Sequence, residues 1–378
     1  MSQSLHIEQV TDKKGLLEFI KFPFQLYRHD PNWVPPLIEE RRDFFDPKKN
    51  PFFEHARCQL FLARHNGELV GTIGAVVDDN HNAFHNEQAG AFGFFETVDD
   101  PAVASALLNA AETWVRGQGM TIIRGPLNFS TNQEIGLLVE GFDEPPMVMM
   151  TYNPRHYPGL IEAHGYRKAM DVYAYIVDLE EGMKSGPPKV FRVAEKAAQK
   201  AGIRVRKAEL RHLDREIQLV KQVYNSAWER NWGFVPMTER EIDHLAAGLK
   251  PVLDPNLVLI AETADGKPVG VSMALPDLHQ ALRWSGGGHM FPFGLLKFLW
   301  HKRRVNQARL LIMGMIEGYR GRGIDAIFYV ETARAALARG YKRLECGWVL
   351  ETNTMMNRIL ENLGARRYKT YRIYEKAL

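Results

Sequence analysis

Ala308-Arg309-Leu310-Leu311-Ile312-Met313-Gly314-Met315-Ile316-Glu317-Gly318-Tyr319-Arg320-Gly321-Arg322-Gly323-Ile324-Asp325 is the stretch on which the reading of this chain turns. The apolar run Leu310 to Ile316 reads as a strand. It enters a turn with glycines and arginines, and apolar residues at i, i+3, i+4 and i+7 from Gly323 to Arg339 predict a long helix just beyond. The free N–H groups of a helix start, the positive end of its dipole and the guanidiniums of Arg320 and Arg322 then converge on one spot. A pyrophosphate is the natural occupant. Gly321 and Gly323 let the backbone approach such a ligand and adopt positive φ, which a side chain would obstruct.

Working outward, the same plan recurs earlier in the chain. Asn66-Gly67 and Asp265-Gly266 each sit between apolar, strand-like runs, the strongest short hairpin signal, and Gly67 and Gly266 are 199 positions apart. Gly165 and Gly364 keep that offset, each before a Tyr-rich alternating strand. Gly93-Phe94-Phe95-Glu96 and Gly314-Met315-Ile316-Glu317 are 221 apart, as are Gly119 and Gly340. Each half reads as strand, one or two helices, hairpin, third strand, long helix, strand, helix and last strand. The predicted helices Ala102 to Gly117 and Gly323 to Arg339 are each closed by glycine. Asp178 to Pro188, with its Gly, Ser and Pro-Pro, is the expected linker, which places the boundary near Ser185, between domains 1–184 and 185–378. At the phosphate turn the earlier copy differs: Asp99-Asp100-Pro101 stands where Arg320-Gly321-Arg322 stands later. Asp before Pro starts a helix well, but it repels phosphate, and Pro101 donates no N–H.

Composition bounds the remainder. At 378 residues the chain can bury ordinary cores, and 48 Lys plus Arg against 45 Asp plus Glu leaves a net charge of +3, too little for nucleic-acid binding by bulk charge. The two cysteines, Cys58 and Cys346, have no CxxC partner, so a reducing, cytoplasmic setting is expected, with neither a disulfide framework nor a zinc site. The thirteen histidines form no HExxH or paired spacing, and no metal is expected. The N-terminus shows no signal pattern, and the apolar runs fall short of the roughly 18 residues of a membrane helix. No GxSxG elbow or Walker GKS/T occurs.

From Tyr319 onward the chain resembles the GCN5-related N-acetyltransferase (GNAT) superfamily, whose signature Arg/Gln-x-x-Gly-x-Gly/Ala after the fourth strand cradles the pyrophosphate of coenzyme A. The match is Arg320-Gly321-Arg322-Gly323-Ile324-Asp325. It continues through Ala333 to Gly340, strand Arg343 to Trp348, and Asn353 to Gly364. The resemblance covers the later half well and the earlier half as a degenerate copy. The whole layout is similar to a bacterial group of tandem GNAT-like acyltransferases, to which the bacterial ceramide synthases are similar. It implies an α/β (α+β) fold of two tandem GNAT-like domains, with mostly antiparallel mixed central sheets flanked by helices. It also implies an acyl-CoA co-substrate held by Met315, Ile316, Tyr319, Arg320, Gly321, Arg322, Gly323, Ile324, Asp325 and Asn353. Two departures stand out. Asp325 occupies a position that is small in the family, and a like charge about 4 Å from the anion would cost roughly 4 kcal/mol at an effective dielectric of about 20. Alternatively it caps free N–H groups of the first turn. Leu360 stands where the family's tyrosine protonates the leaving thiolate, so that proton must come from Tyr371, Tyr319 or water.

The expected reaction is acyl transfer from a coenzyme A or pantetheine thioester to a primary amine. Glu317 at the strand end is the preferred base, Glu345 on the neighbouring strand the second choice, and either can equally be an ordinary structural or solvated carboxylate. Two insertions are expected to define the acceptor, a small-molecule or lipid amine. The first carries Asn128, Asn132, Glu134 and Tyr152, which read as a binding wall with a polar patch or as a turn cluster. The second, Pro276 to Gln307, carries Phe291, Phe293 and Trp300 before His301-Lys302-Arg303-Arg304. It suits a membrane face, with peripheral contact through 291–304 on the inner side of the cytoplasmic membrane, or a lipid-tail groove, and a buried core helix is the competing reading. Oligomeric state is not legible. Two other classes remain open: a non-catalytic acyl-thioester or lipid-binding protein, and a dinucleotide-dependent oxidoreductase reading Gly321-x-Gly323-x-x-Ala326 as its fingerprint.

Overall fold

The computed structural model describes residues 5–185, 202–229 and 231–378, together with 192 and 196. The described residues group into two compact units. One holds the chain up to Val172 with Ala281–Trp300 and Lys369–Leu378; the other holds Tyr173–Gln280 and His301–Tyr368. The units are therefore not two consecutive lengths of chain. The earlier half contributes strands β1 (Leu5–Gln9), β2 (Ala56–His65), β3 (Glu68–Asp78), β4 (Ala89–Thr97), β5 (Ile122–Gly125), β6 (Leu127–Asn128), β7 (Glu134–Ile135), β8 (Leu137–Glu140) and β9 (Arg167–Asp178). The later half contributes β10 (Ile203–Lys207), β11 (Val258–Thr263), β12 (Pro268–Pro276), β13 (Gln307–Met315), β14 (Arg343–Leu350) and β15 (Arg366–Ala377). The first unit orders its sheet β1-β2-β3-β4-β5-β15, with β8 also on β15, and the second β9-β14-β13-β12-β11-β10.

Both hairpins form where the turn residues called for them. Asn66 and Gly67 take φ of 55° and 84° between β2 and β3, and Gly266 takes 85° between β11 and β12. The long helices are Pro101–Gly117, capped by Asp100, and Ile324–Ala338, which begins after Gly323. Val103, Leu107, Leu108, Ala111 and Val115 of the first pack on Phe92, Ile73 and Ile123, each large side chain contributing roughly 1.5–3 kcal/mol of burial. The second spreads over its sheet. Ile324 and Phe328 meet Leu259 and Val269, while Tyr329 and Ala336 meet Leu310, Leu344 and Cys346. The expected linker is partly helical, as Leu179–Ser185 forms a helix because Asp178 accepts from Glu180 and Glu181 N–H; its remainder, 186–188, lies outside the described residues. Among the registers of the described residues the pairs are antiparallel except β4 with β5 and β13 with β14, which are parallel. A doubly wound parallel sheet, which the dinucleotide reading needs, is not what these registers build.

The same irregularity interrupts both sheets. In β13 the register passes from Met273↔Ile312 to Ala274↔Leu310, leaving Leu311 extra; in β4 it passes from Thr72↔Glu96 to Gly74↔Gly93. Such a bulge bends its strand away from a neighbour. The parallel pairing of β13 with β14 is registered from Gln307↔Arg343 to Leu310↔Cys346, and beyond it β13 runs on to Met315 and β14 to Leu350.

A buried charge sits at the vertex of this parting. Arg309 and Glu345, paired across the two strands, are both buried, with Nε 2.9 Å from Oε2. Arg309 also donates to the Gly347 carbonyl at 3.2 Å and lies 4.7 Å over the Trp348 ring. Burial raises the Glu345 carboxyl to about 7, against the opposing pull of Arg309, and nearby Asp277 adds to the rise. A folded-state pKa above the unfolded 4.5 means the folded chain holds a proton that the unfolded chain releases. Stability is thus lost as pH climbs from 4.5 to about 7, and is flat above. Thermal midpoints of wild type and Glu345→Gln, compared from pH 5 to 8, should show the wild type losing ground with rising pH by up to roughly 3 kcal/mol. A constant difference would mean that Glu345 is already ionised in the folded chain.

Candidate functional site

The second unit presents a wedge between β13 and β14. Leu311–Met315 leaves the edge that faced β14 without a strand partner among the described residues. Its alternate N–H and C=O groups can therefore address a ligand. Gly314 faces the indole of Trp228, where a Cβ would come within 2.6 Å of the ring. Below, Ile312 and Met273 help line an apolar cavity with Val220, Tyr224, Ile242 and Leu249.

The loop after β13 is set by its glycines, with φ of 85°, 70° and 82° at Gly318, Gly321 and Gly323. Gly323, the N-cap, has no side chain to cap the helix, and no first-turn N–H donates to Asp325 among the described residues, so capping by Asp325 is not seen. Arg320 is anchored by bonds from Nε to the Met315 carbonyl and from NH2 to the Ala227 carbonyl at 2.8 Å. The Arg322 guanidinium stacks on Tyr319 at 4.9 Å. Met315, Ile316 and Tyr319 pack with Ile324 and Phe328 beneath the loop. The loop thus offers two cations and an uncapped helix start on one apolar base, a chemistry suited to a diphosphate.

Other residues singled out from the sequence fall in different places. Glu317 is exposed at the end of β13, and Glu345 is buried with Arg309. Asn353 caps the helix Thr354–Asn362 by accepting from Met356 N–H at 3.2 Å. Leu360 is buried in a second apolar cavity shared with Cys346, Val330 and Tyr329. The Tyr329 hydroxyl lies against the Met356 sulfur, a weak acceptor. Tyr329 drew no notice in the sequence because it comes from the long helix, not from the helix that carries the family's tyrosine. Tyr371 is buried in the first unit, where β15 pairs with β8.

In the first unit the wedge is filled. Gly93 packs against β6, where a Cβ would lie 2.0 Å from the Leu127 carbonyl, and the Phe94 N–H donates to Asn128 Oδ1 at 2.8 Å. Asn128 Nδ2 donates to Glu134 Oε2, and Arg41 pairs with Glu134 Oε1 at 2.5 Å. Asn132 N–H donates to Ser130 Oγ, and the Tyr152 hydroxyl donates to Asp30 at 2.7 Å. These polar groups bond within the protein. Ala281–Trp300 of the later insertion also groups with the first unit: Ile38 N–H donates to the Gly288 carbonyl and Arg283 donates to the Pro31 carbonyl. Phe291, Phe293 and Trp300 are 78%, 70% and 60% exposed, so the core-helix reading of this segment does not hold. No helix among the described residues is long and apolar enough to cross a membrane.

No family model matches the chain. A bacterial ceramide synthase from Caulobacter vibrioides is 41% identical over 381 aligned positions, covering 99% of this chain and 98% of the relative. Protein YghO of Escherichia coli is 38% identical, covering 97% and 94%. Among solved structures, a tandem GNAT protein from the clavulanic acid biosynthesis pathway superposes with a TM-score of 0.59 over 99% of this chain and 98% of its own, at 11% identity. A GCN5-related N-acetyltransferase from Sphaerobacter thermophilus gives 0.53 over 99% and 95%, at 15% identity. The structures speak for the fold, two GNAT units in tandem, and the sequence relatives for the family. With a bulged, open wedge and a glycine-arginine loop in one unit and a closed wedge in the other, this chain belongs to the bacterial ceramide synthase family of tandem GNAT-fold acyltransferases.

Proposed function

We propose that the chain moves an acyl group from a coenzyme A thioester, held in the second unit, to a primary amine of a lipid or small molecule. The observation that carries this is the contrast between the wedges: the one beside the Arg320–Gly323 loop is open, and the one beside Asp99-Asp100-Pro101 is closed by Asn128. A bound acyl thioester supplies an activated carbonyl and a thiolate leaving group. Arg320, Arg322 and the N–H groups after Gly323 hold the diphosphate. Asp325, half-buried in that first turn, acts by its charge on the Tyr329 hydroxyl, adding to the rise that burial imposes on it, and Asn353 caps the helix that follows β14. The free edge of Leu311–Met315 polarises the carbonyl and aligns the chain, a positioning effect of up to about 7–11 kcal/mol in the best cases. As the new N–C bond forms and the C–S bond breaks, Glu317 takes the amine proton through solvent. Tyr329, in the cavity of Leu360, gives a proton to the sulfur in preference to Tyr319 or Tyr371. Glu345 acts by holding Arg309 on the Gly347 carbonyl, which fixes where β14 leaves β13.

A long acyl chain fits this reading. The cavity that Ile312 shares with Val220 and Leu249 is apolar throughout and begins on the wedge strand itself. The Caulobacter relative is named for making ceramide, a long-chain amide, which supports a lipid amine as acceptor. The exposed Phe291, Phe293 and Trp300, followed by exposed Lys302, Arg303 and Arg304, suit peripheral contact with an anionic, cytoplasmic membrane face.

Calorimetry with coenzyme A should show binding by wild type and a loss of about tenfold or more in the Arg320→Ala, Arg322→Ala double variant. Equal binding by both, or none by wild type, would refute the site. In a turnover assay with long-chain acyl-CoA and a long-chain amine, Tyr329→Phe should lower kcat by roughly 10²-fold while leaving KM near wild type. An unchanged kcat would give the proton to another group. Flotation with anionic lipid vesicles should carry the wild type upward, and Phe291→Ser with Phe293→Ser should remain in the bottom fraction; vesicle binding that survives both changes would remove this segment from the contact.

A further inference from the structure

Glu96 occupies in the first unit the position that Glu317 occupies in the second, at the end of the bulged strand, but its surroundings are different. Its Oε2 accepts from the Tyr27 hydroxyl at 2.6 Å and from the Tyr157 hydroxyl at 2.9 Å. Tyr157 is itself fixed by the backbone, accepting from Thr97 N–H at 2.7 Å. Oε1 has no hydrogen-bond partner, and no Lys, Arg or His pairs with the carboxylate, among the described residues. Further aromatic rings adjoin Tyr27. Tyr27 stacks on Trp33 at 5.2 Å between centroids and tilts against Tyr152 at 5.9 Å, and Tyr152 is held in place by its bond to Asp30.

A half-buried carboxylate with one oxygen pinned, the other open and no cation of its own is a costly arrangement unless a cation arrives. The rings that adjoin Tyr27 carry faces that attract the same charge. We infer that Glu96, Tyr27, Trp33 and Tyr152 form a binding site in the first unit for a primary alkylammonium, the ammonium on Glu96 Oε1 and the first methylenes against the rings. Burial raises the Glu96 carboxyl to about 7 despite the two tyrosine hydrogen bonds that oppose the rise. A cation arriving beside it would favour the ionised carboxylate. This site goes beyond the acyl-transfer reading: an ammonium would bind here even if the second unit never held a thioester.

The probe is n-octylammonium, titrated calorimetrically into the full chain near neutral pH, with n-octanol as the neutral isostere. Wild type should bind the ammonium and ignore the alcohol. Glu96→Gln, which still accepts from both tyrosines, should weaken ammonium binding by roughly tenfold or more while binding coenzyme A as wild type does. Trp33→Leu should weaken it by about threefold to thirtyfold, and decides the matter if Glu96→Gln also loses coenzyme A and has thus misfolded. Absence of ammonium binding by wild type, equal binding by Glu96→Gln, or octanol binding as tight as the amine would each overturn the inference. Loss of coenzyme A binding in wild type alone would overturn only the acyl-transfer site.

Discussion

The parting of β13 from β14 is the constraint on which the remaining architecture depends. Two parallel strands that begin in register can separate only if something bends one and holds the other. The extra residue at Leu311 bends β13, and Arg309, clamped to Glu345 and reaching the Gly347 carbonyl, fixes β14. The cost of burying those charges is offset by their mutual pairing only in part, as the raised Glu345 carboxyl records. A buried pair at the vertex is thus better understood as a device of geometry than of stability.

The two units show what one scaffold becomes when a few residues change. Both keep the bulge, the long helix and the helix start after the fourth strand. In the first, Pro101 and Asp100 complete the helix start internally, and Asn128 answers the N–H of Phe94. The strand and helix-start groups named here are thus engaged within the protein. In the second, glycine stands at the N-cap with two arginines just before it, and the first-turn N–H groups have no side-chain cap among the described residues.

Most of the scaffold could be read from the sequence because its signals are local. Asn66-Gly67, Asp265-Gly266, the helical spacing after Gly323 and the contrast of Arg320-Gly321-Arg322 with Asp99-Asp100-Pro101 need only neighbouring residues to make their case. What could not be read depends on tertiary contact. Asn128 and Glu134 look like a polar wall in the sequence, but only the fold shows Phe94 and Arg41 bonding to them. Tyr329 is one apolar-spaced residue among many until Leu360 and Cys346 are seen around it. Glu96 carried a repeat position and nothing more, because Tyr27, Trp33 and Tyr157 come from distant segments. The helical Leu179–Ser185 was hidden by glycine and serine, whose loop preference yielded to the cap at Asp178.

The membership of the last strand carries a consequence for how the chain is made. Lys369–Leu378 completes the first unit, pairing Tyr374 with Gly125 and Lys376 with Ile123, while Tyr173–Asp178 serves the second. A ribosome that has finished the earlier half therefore has an incomplete sheet in hand. β5 must wait, with an open hydrogen-bonding edge, through the synthesis of nearly all the later half. A cut between the halves would part β5 from the strand that pairs with it, so completion of the first unit's sheet waits on a single late-arriving segment.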